Sequence, residues 1–283
     1  MNVKQIAVVG AGQMGAGIAQ TALAAGLDVV LVDAAQAALD AGRERIDAGI
    51  RKLVEKGKLS AEVGASARSR LTTVAALDRI PQVDFAVEAV TENLSLKLEI
   101  FRALDKVVRP GGVLASNTSS LPITKLAQAT KRPEAVIGMH FMNPVPLMAL
   151  VELIRGVRTS EGTFTQTRAL AEHMGKQVVV SRDRPGFIVN RVLIPMINEA
   201  IFALMEGLGS AEDIDTAMRL GTNQPMGPLR LADFIGLDTV LFIAEVLHEG
   251  LGEDKYRPCP LLREYVDGGW LGKKSGRGFY VHG

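Results

Sequence analysis

The stretch GMHFMNPVPLMALVE, residues 138–152, sets His140 twelve residues ahead of Glu152 in otherwise apolar company, in a chain with only four histidines. An imidazole titrates near neutral pH, so it can take a proton from a hydroxyl group or return one. A carboxylate on the next apolar segment can hydrogen-bond its second nitrogen, fix the tautomer and stabilise the imidazolium. A satisfied core histidine beside an unrelated carboxylate would present the same residues. Two further segments favour chemistry. LASNTSSLPI supplies Asn117, Thr118, Ser119 and Ser120 at the end of an apolar run, and PGFIVNR puts Asn190 at an apolar helix opening. Both can offer hydrogen bonds to a substrate oxygen, although each also fits an ordinary turn or cap.

A second motif says what the proton transfer would accompany. In the turn GAGQMG, Gly10, Gly12 and Gly15 stand in G-x-G-x-x-G spacing, after an apolar strand pattern and at the head of an apolar-periodic helix opened by Gln13 and Met14. Gly10 permits the tight turn, Gly12 lets backbone approach a pyrophosphate, and Gly15 lets the helix pack on the strand. The helix N-terminus then offers unpaired N–H groups and the positive end of a dipole. Asp33 closes the second strand, 18 residues past Gly15, where a carboxylate can accept hydrogen bonds from an adenosine ribose. Alanines follow it, not an arginine, so a 2′-phosphate would be repelled and NAD is expected as the cofactor. A nicotinamide takes a hydride from an alcohol carbon, and His140 is the candidate for the proton.

Positioning these groups requires a sheet. Residues 4–33 read as strand, glycine-rich turn, helix and strand, a βαβ unit. A charged helical excursion follows over about 36–68, with Gly57 as its break. Apolar runs at VDFAVEAV, GGVLASNTS, AVIGMHFM, ALVELIRG and QVVVSRD then alternate early on with helical segments, and the later, closely spaced runs allow antiparallel pairing. The expected class is α/β: an N-terminal Rossmann-type doubly wound sheet over 1–184. Pro185 and Gly186 punctuate the chain, and strand patterns all but vanish beyond them, predicting an all-helical domain over 185–283. Its helix FIVNRVLIPMINEAIFALMEG is apolar on more than one face and holds Pro195, which predicts a kink and burial on two sides.

Charge excludes other classes. Lys plus Arg number 32 against 31 Asp plus Glu, so nothing invites nucleic acid or an anionic membrane, and an anionic ligand must be gripped locally. No apolar run is long enough to span a bilayer. The single cysteine, Cys259, can form no internal disulfide and no cysteine-based metal site, and the first residues lack the pattern of a signal peptide, so a cytoplasmic location is expected.

Across its whole length the sequence resembles the 3-hydroxyacyl-CoA dehydrogenase family, most closely free-standing bacterial members acting on 3-hydroxybutyryl-CoA. The resemblance is carried by VVGAGQMGAGIAQ, VEAVTENLSLKLEIF, ASNTSSLPIT, GMHFMNPVPLMALVELI, RDRPGFIVNR and GKKSGRGFY. It implies NAD-dependent, reversible oxidation of a 3-hydroxyacyl-CoA to the 3-ketoacyl-CoA, acetoacetyl-CoA for the short-chain substrate, and a homodimer through the helical domain. It implies His140 as general base, Glu152 as its partner, and Ser119 and Asn190 as hydrogen-bonding groups on the reacting part of the substrate. Glu92, Lys97, Asn117 and Asn143 match positions lining the nicotinamide and ribose side of the cofactor, Asn143 also facing substrate, and Lys274 reaches the cofactor too. The family uses the helical excursion to hold CoA, and Lys52 and Lys56 are the cations there expected to meet its phosphates. Two departures, Met142 where H-F-F-N-P is common and Ala149 where M-K-L-V-E is common, bear on pocket shape and acyl length. Two other readings stay open. A dehydrogenase of a free hydroxy acid or sugar acid would not need the basic excursion, and a non-catalytic NAD-binding protein would bind cofactor without turnover.

Overall fold

Short runs of β-branched and aliphatic residues become the strands of one eight-stranded sheet, buried on both faces in its central strands and largely exposed in its last, Gln177–Arg182. In the computed structural model, which describes residues 3–283, the chain divides into two units, the first ending at Arg184 and the second spanning Pro185–Gly283.

The first unit begins with β1 (Gln5–Val9), α1 (Gln13–Ala24) and β2 (Asp28–Val32). The excursion follows as α2 (Gln36–Glu55) and α3 (Ala61–Ser69), with Gly57 between them at a φ of +66°. Its inner face is a single stripe, Leu39, Gly42, Ile46 and Ile50, the spacing of one face of a helix. Then come β3 (Leu71–Val74), β4 (Val83–Glu88), α4 (Leu94–Val107), β5 (Val108–Ser116), the short α5 (Ile123–Ala127), β6 (Val136–Phe141), β7 (Leu150–Arg155), α6 (Glu161–His173) and β8 (Gln177–Arg182). Side-chain oxygens of Ser60, Asn93 and Ser160 accept the first N–H groups of α3, α4 and α6, fixing where those helices start.

The strand order is β3-β2-β1-β4-β5-β6-β7-β8, the dinucleotide-binding order over its first six strands with two more appended. All neighbours are parallel except β6 and β7. A parallel partner needs a crossover of a dozen or more residues, and the connection over residues 142–149 is too short for one, so β7 turns straight back along β6.

The second unit holds α7 (Val189–Met205), α8 (Ala211–Gly221), α9 (Pro228–Ile235), α10 (Leu237–Leu251) and α11 (Pro260–Asp267). Among the described residues its only β pairing is the pair of isolated bridges Gly272 to Arg277 and Arg277 to Val281. Ser210 caps α8, its Oγ accepting the Asp213 N–H at 3.1 Å. The C-terminal segment is tied down by two buried aspartates. Asp233 accepts the N–H groups of Phe279 and Tyr280, both at 2.9 Å, and lies 2.8 Å from His282 Nε2. Asp215 accepts the N–H groups of Leu229 and Arg230 and the Tyr280 hydroxyl at 2.7 Å. Burial and that carboxylate push the Tyr280 pKa up, so the phenol stays a donor.

In α7 burial differs from the expectation of two covered sides. Asn190, Ile194, Ile197, Asn198 and Ile201 repeat at helical spacing as one stripe, whereas Val192 on the other side is 67% exposed. Within this unit α7 packs against α8, α9, α10 and α11, which cover that stripe. Pro195 has no N–H for the carbonyl of Arg191, yet the helix continues through it from Val189 to Met205.

Candidate active site

Every parallel strand that matters delivers its polar residue at the C-terminal edge, where open α/β sheets carry their ligands. After β1, Gly10 takes a φ of +104°, and a Cβ there would lie 2.6 Å from the carbonyl oxygen of Ala89, which follows β4. The loops after β1 and β4 therefore abut at the point where strand order reverses. A Cβ on Gly15 would fall onto the Gly10 carbonyl oxygen, so α1 can start this close to the turn only with glycine there. Gly12, the N-cap of α1, faces open space with no side-chain cap and no acidic residue in the first turn. The leading N–H groups of α1, those of Gln13 and Met14 among them, thus remain for an anion. Asp33 serves the same turn: its Oδ2 accepts the Ala11 N–H at 2.9 Å and its Oδ1 the Ala35 N–H at 3.0 Å. An open N-terminus, a backbone a ligand can approach and a carboxylate at the end of β2 together fit an adenine dinucleotide with an unphosphorylated ribose.

Beyond β4 lies a network that motif reading did not supply. Glu88, wholly buried at the end of β4, accepts the Lys97 ammonium at 2.6 Å and the Val90 N–H at 2.7 Å on Oε1, and the Ser116 hydroxyl at 2.7 Å on Oε2. Lys97 is 1% exposed, donates also to the Val90 carbonyl at 3.2 Å, and stands 3.7 Å from Glu92. Glu92 in turn accepts the Thr118 hydroxyl at 2.8 Å, the Ser119 N–H at 2.6 Å and the Ser119 hydroxyl at 3.1 Å. Carboxylate, ammonium and carboxylate thus run from the core to Ser119. A glutamate at the end of an apolar strand, nine residues before a lysine in an otherwise amphipathic helix, was the available signal.

The last strands place the remaining groups. Antiparallel pairing sets His140 directly opposite Glu152, so their side chains share a face, and His140 Nδ1 lies 2.8 Å from Glu152 Oε2. The imidazole is nearly buried and the carboxylate fully so. A carboxylate that accepts this bond takes it from a protonated Nδ1 and leaves Nε2 as the basic nitrogen, the tautomer general-base chemistry requires. The Asn117 Oδ1 accepts the Phe141 N–H at 2.9 Å, tying the end of β5 to β6, and the Asn143 Oδ1 accepts from Gln13 Nε2 at 2.9 Å. That last bond joins the segment after β6 to the head of α1.

The remaining anticipated residues fall in the helical excursion and in the second unit. Lys52 and Lys56 are exposed at the C-terminal end of α2, a position that also suits cations on dipole grounds alone. In the second unit, Asn190 sits buried in the first turn of α7, and Lys274 pairs with Asp238 at 2.5 Å. Two surface hollows of about 570 and 610 Å³ lie beside Gly111 and the start of α6, at the N-terminal part of β5, and none of the anticipated residues lines them.

With this geometry in place, the family is decided by sequence. Residues 5–184 match the model of the 3-hydroxyacyl-CoA dehydrogenase NAD binding domain, and residues 186–282 that of the 3-hydroxyacyl-CoA dehydrogenase C-terminal domain. The chain belongs to the 3-hydroxyacyl-CoA dehydrogenase family. It is 56% identical over 280 residues to a probable 3-hydroxybutyryl-CoA dehydrogenase of Bacillus subtilis, covering 99% of this chain and 98% of that one. It is 53% identical over 278 residues to the 3-hydroxybutyryl-CoA dehydrogenase of Bradyrhizobium diazoefficiens, covering 98% and 95%. Among solved structures, the (S)-3-hydroxybutyryl-CoA dehydrogenase of Ralstonia eutropha matches with a TM-score of 0.96 at 48% identity over the full length of both chains.

Proposed function

We propose that the protein catalyses the NAD-dependent, reversible oxidation of (S)-3-hydroxybutyryl-CoA to acetoacetyl-CoA. The observation that carries this reading is the His140–Glu152 pair, held in strand register on the sheet edge that also carries the glycine-rich turn. When bound, NAD supplies the hydride acceptor. His140 Nε2 takes the proton of the carbon-3 hydroxyl, Glu152 stabilises the imidazolium, and in reverse the ring protonates the forming alkoxide. Ser119, anchored on Glu92, and Asn190 orient the substrate oxygens. Asn143 and Glu92 line the nicotinamide side, Lys97 acting there through its hold on Glu88 and Glu92, and Lys274 completes the cofactor contacts. The decisive assay is loss of NADH absorbance with acetoacetyl-CoA, run beside free acetoacetate and with CoA as competitor. Turnover confined to the thioester and inhibited by CoA supports the proposal; turnover of the free acid alone would replace it with the hydroxy-acid reading.

Cofactor choice gives a second test. Asp33→Asn keeps an acceptor for the Ala11 N–H and removes the charge that opposes a 2′-phosphate. The ratio of kcat/KM for NADPH over NADH is expected to rise about tenfold or more, since one like-charge repulsion is lifted. For the CoA end, the double variant Lys52→Glu and Lys56→Glu is expected to raise KM for acetoacetyl-CoA roughly five- to tenfold while KM for NADH stays put. Equal effects on both would assign these lysines to general electrostatics.

We also infer a homodimer through the helical unit. Val192, Leu208, Leu220 and Phe234 are each at least half exposed on it, apolar side chains that a second copy of the unit would cover. Sedimentation at micromolar concentration is expected to give twice the chain mass. No helix among the described residues is long and apolar enough to cross a membrane, and a cytoplasmic location fits the single buried thiol of Cys259.

A further inference from the structure

Lys176 joins α6 to β8 and is 7% exposed, yet it forms no ion pair among the described residues. Its ammonium donates instead to two backbone carbonyls, Val145 at 2.5 Å and Met148 at 2.8 Å. Burial pushes its pKa down, the signature of a cation held at a desolvation cost. A methionine of the same length would carry no such cost, so what lysine adds is a group that grips two carbonyls at once.

Those carbonyls belong to the segment over residues 142–149 that separates His140 from Glu152 along the chain. Little else holds its tip. Leu147 is 74% exposed and Met148 42%, and the local bonds are the N–H groups of both residues donating to the Pro144 carbonyl at 3.0 Å. On its inner side Val145 is buried against α1, so close that a Cβ on Gly17 would lie 2.9 Å from the Val145 Cβ. At its head, Asn143 meets Gln13 of the glycine-rich turn. Next to Lys176, the Gln177 N–H donates to the Ala149 carbonyl at 2.7 Å, so the same junction also sets where β7 begins.

We propose that Lys176 is a positioning residue of the dehydrogenase centre: by gripping the carbonyls of Val145 and Met148 it fixes the segment over residues 142–149 and so holds Asn143 against the cofactor turn. This rests on the reading of Asn143 as a cofactor contact. Misplacing such a group by about 1 Å from outside the site can cost on the order of 10²-fold.

The test uses the full-length chain in four forms: Lys176→Met, Lys176→Arg, Asn143→Ala and the Lys176→Met, Asn143→Ala double variant. NADH affinity is read by fluorescence titration and kcat and KM by steady-state turnover. Lys176→Met is expected to weaken NADH about ten- to a hundredfold, Lys176→Arg to recover most of that, and the double variant to be little worse than Asn143→Ala alone. Wild-type NADH affinity in Lys176→Met beside an impaired Asn143→Ala overturns the proposal, as does full multiplication of the two effects, since a merely structural lysine would act independently of Asn143. Wild-type affinity in Asn143→Ala would instead remove the cofactor reading of Asn143, and this route of action with it. Should Lys176→Met fail to fold, hydrogen exchange at the Leu147 and Met148 amides in Lys176→Gln decides: faster exchange with weaker NADH binding supports the grip, and unchanged exchange overturns it.

Discussion

Replacing His140 with glutamine lowers kcat with acetoacetyl-CoA by about 10²- to 10⁴-fold, the usual share of a positioned general acid or base, while NADH binding is unchanged. Glutamine keeps the size and a polar tip, so the strand pairing of β6 with β7 survives, and what disappears is a group that can take a proton from the substrate oxygen and return it. Glu152→Gln falls short of wild type for a different reason. It leaves the ring in place and removes the charge that stabilises the imidazolium, so its loss is smaller than that of His140→Gln, and the double variant is little worse than His140→Gln because the two act as a unit. A His140→Gln enzyme turning over near the wild-type rate would remove the residue from the mechanism.

The largest expected loss of stability comes from Lys97→Met. Both partners of the Lys97–Glu88 pair are essentially without solvent, and removing one leaves an uncompensated buried charge, a change worth about 3–5 kcal/mol. The Val90 N–H and Ser116 hydroxyl still support Glu88, which puts the expectation near the lower bound of that range. Adding Glu88→Gln should restore most of it, because the stranded charge is then gone. Urea unfolding followed by far-ultraviolet circular dichroism is the suitable readout, since the one tryptophan, Trp270, lies in the second unit. A single variant with the wild-type midpoint would show that the pair contributes nothing to folding.

The dinucleotide cradle was legible because its chemistry depends on absent side chains at fixed spacing. Only glycine tolerates the φ of Gly10 and the approach of α1 at Gly15, so those requirements are written directly in the chain. His140 and Glu152 could be named from the sequence as candidates, but their pairing could not: it is the antiparallel register of β6 and β7, imposed by a connection too short for a crossover, that sets the two opposite each other. What stayed hidden depends on tertiary burial. Lys97 stood out by family resemblance as a cofactor contact, but its ammonium is committed to Glu88, and nothing local marks Glu88 or Ser116 as its partners. Lys176 sits after a helix, where a lysine ordinarily serves as a solvated cation near the C-terminus, and only the fold buries it beneath two carbonyls. Asp233 reaches partners 46 to 49 residues further along, a separation no periodicity can reveal. The apolar faces of α7 were plain in the sequence, yet which of them a single chain covers depends on the packing of α8–α11.

In the proposed reaction this chain moves a hydride between carbon 3 of a CoA thioester and a nicotinamide while its own histidine moves the proton. The measurement to make is turnover of acetoacetyl-CoA with NADH carrying deuterium at both C4 positions, in ordinary water, with the label located in the product. (S)-3-Hydroxybutyryl-CoA with one deuterium on carbon 3 and none on carbon 2 is expected; a product without label on carbon 3, or no product from the thioester at all, would rule the reaction out.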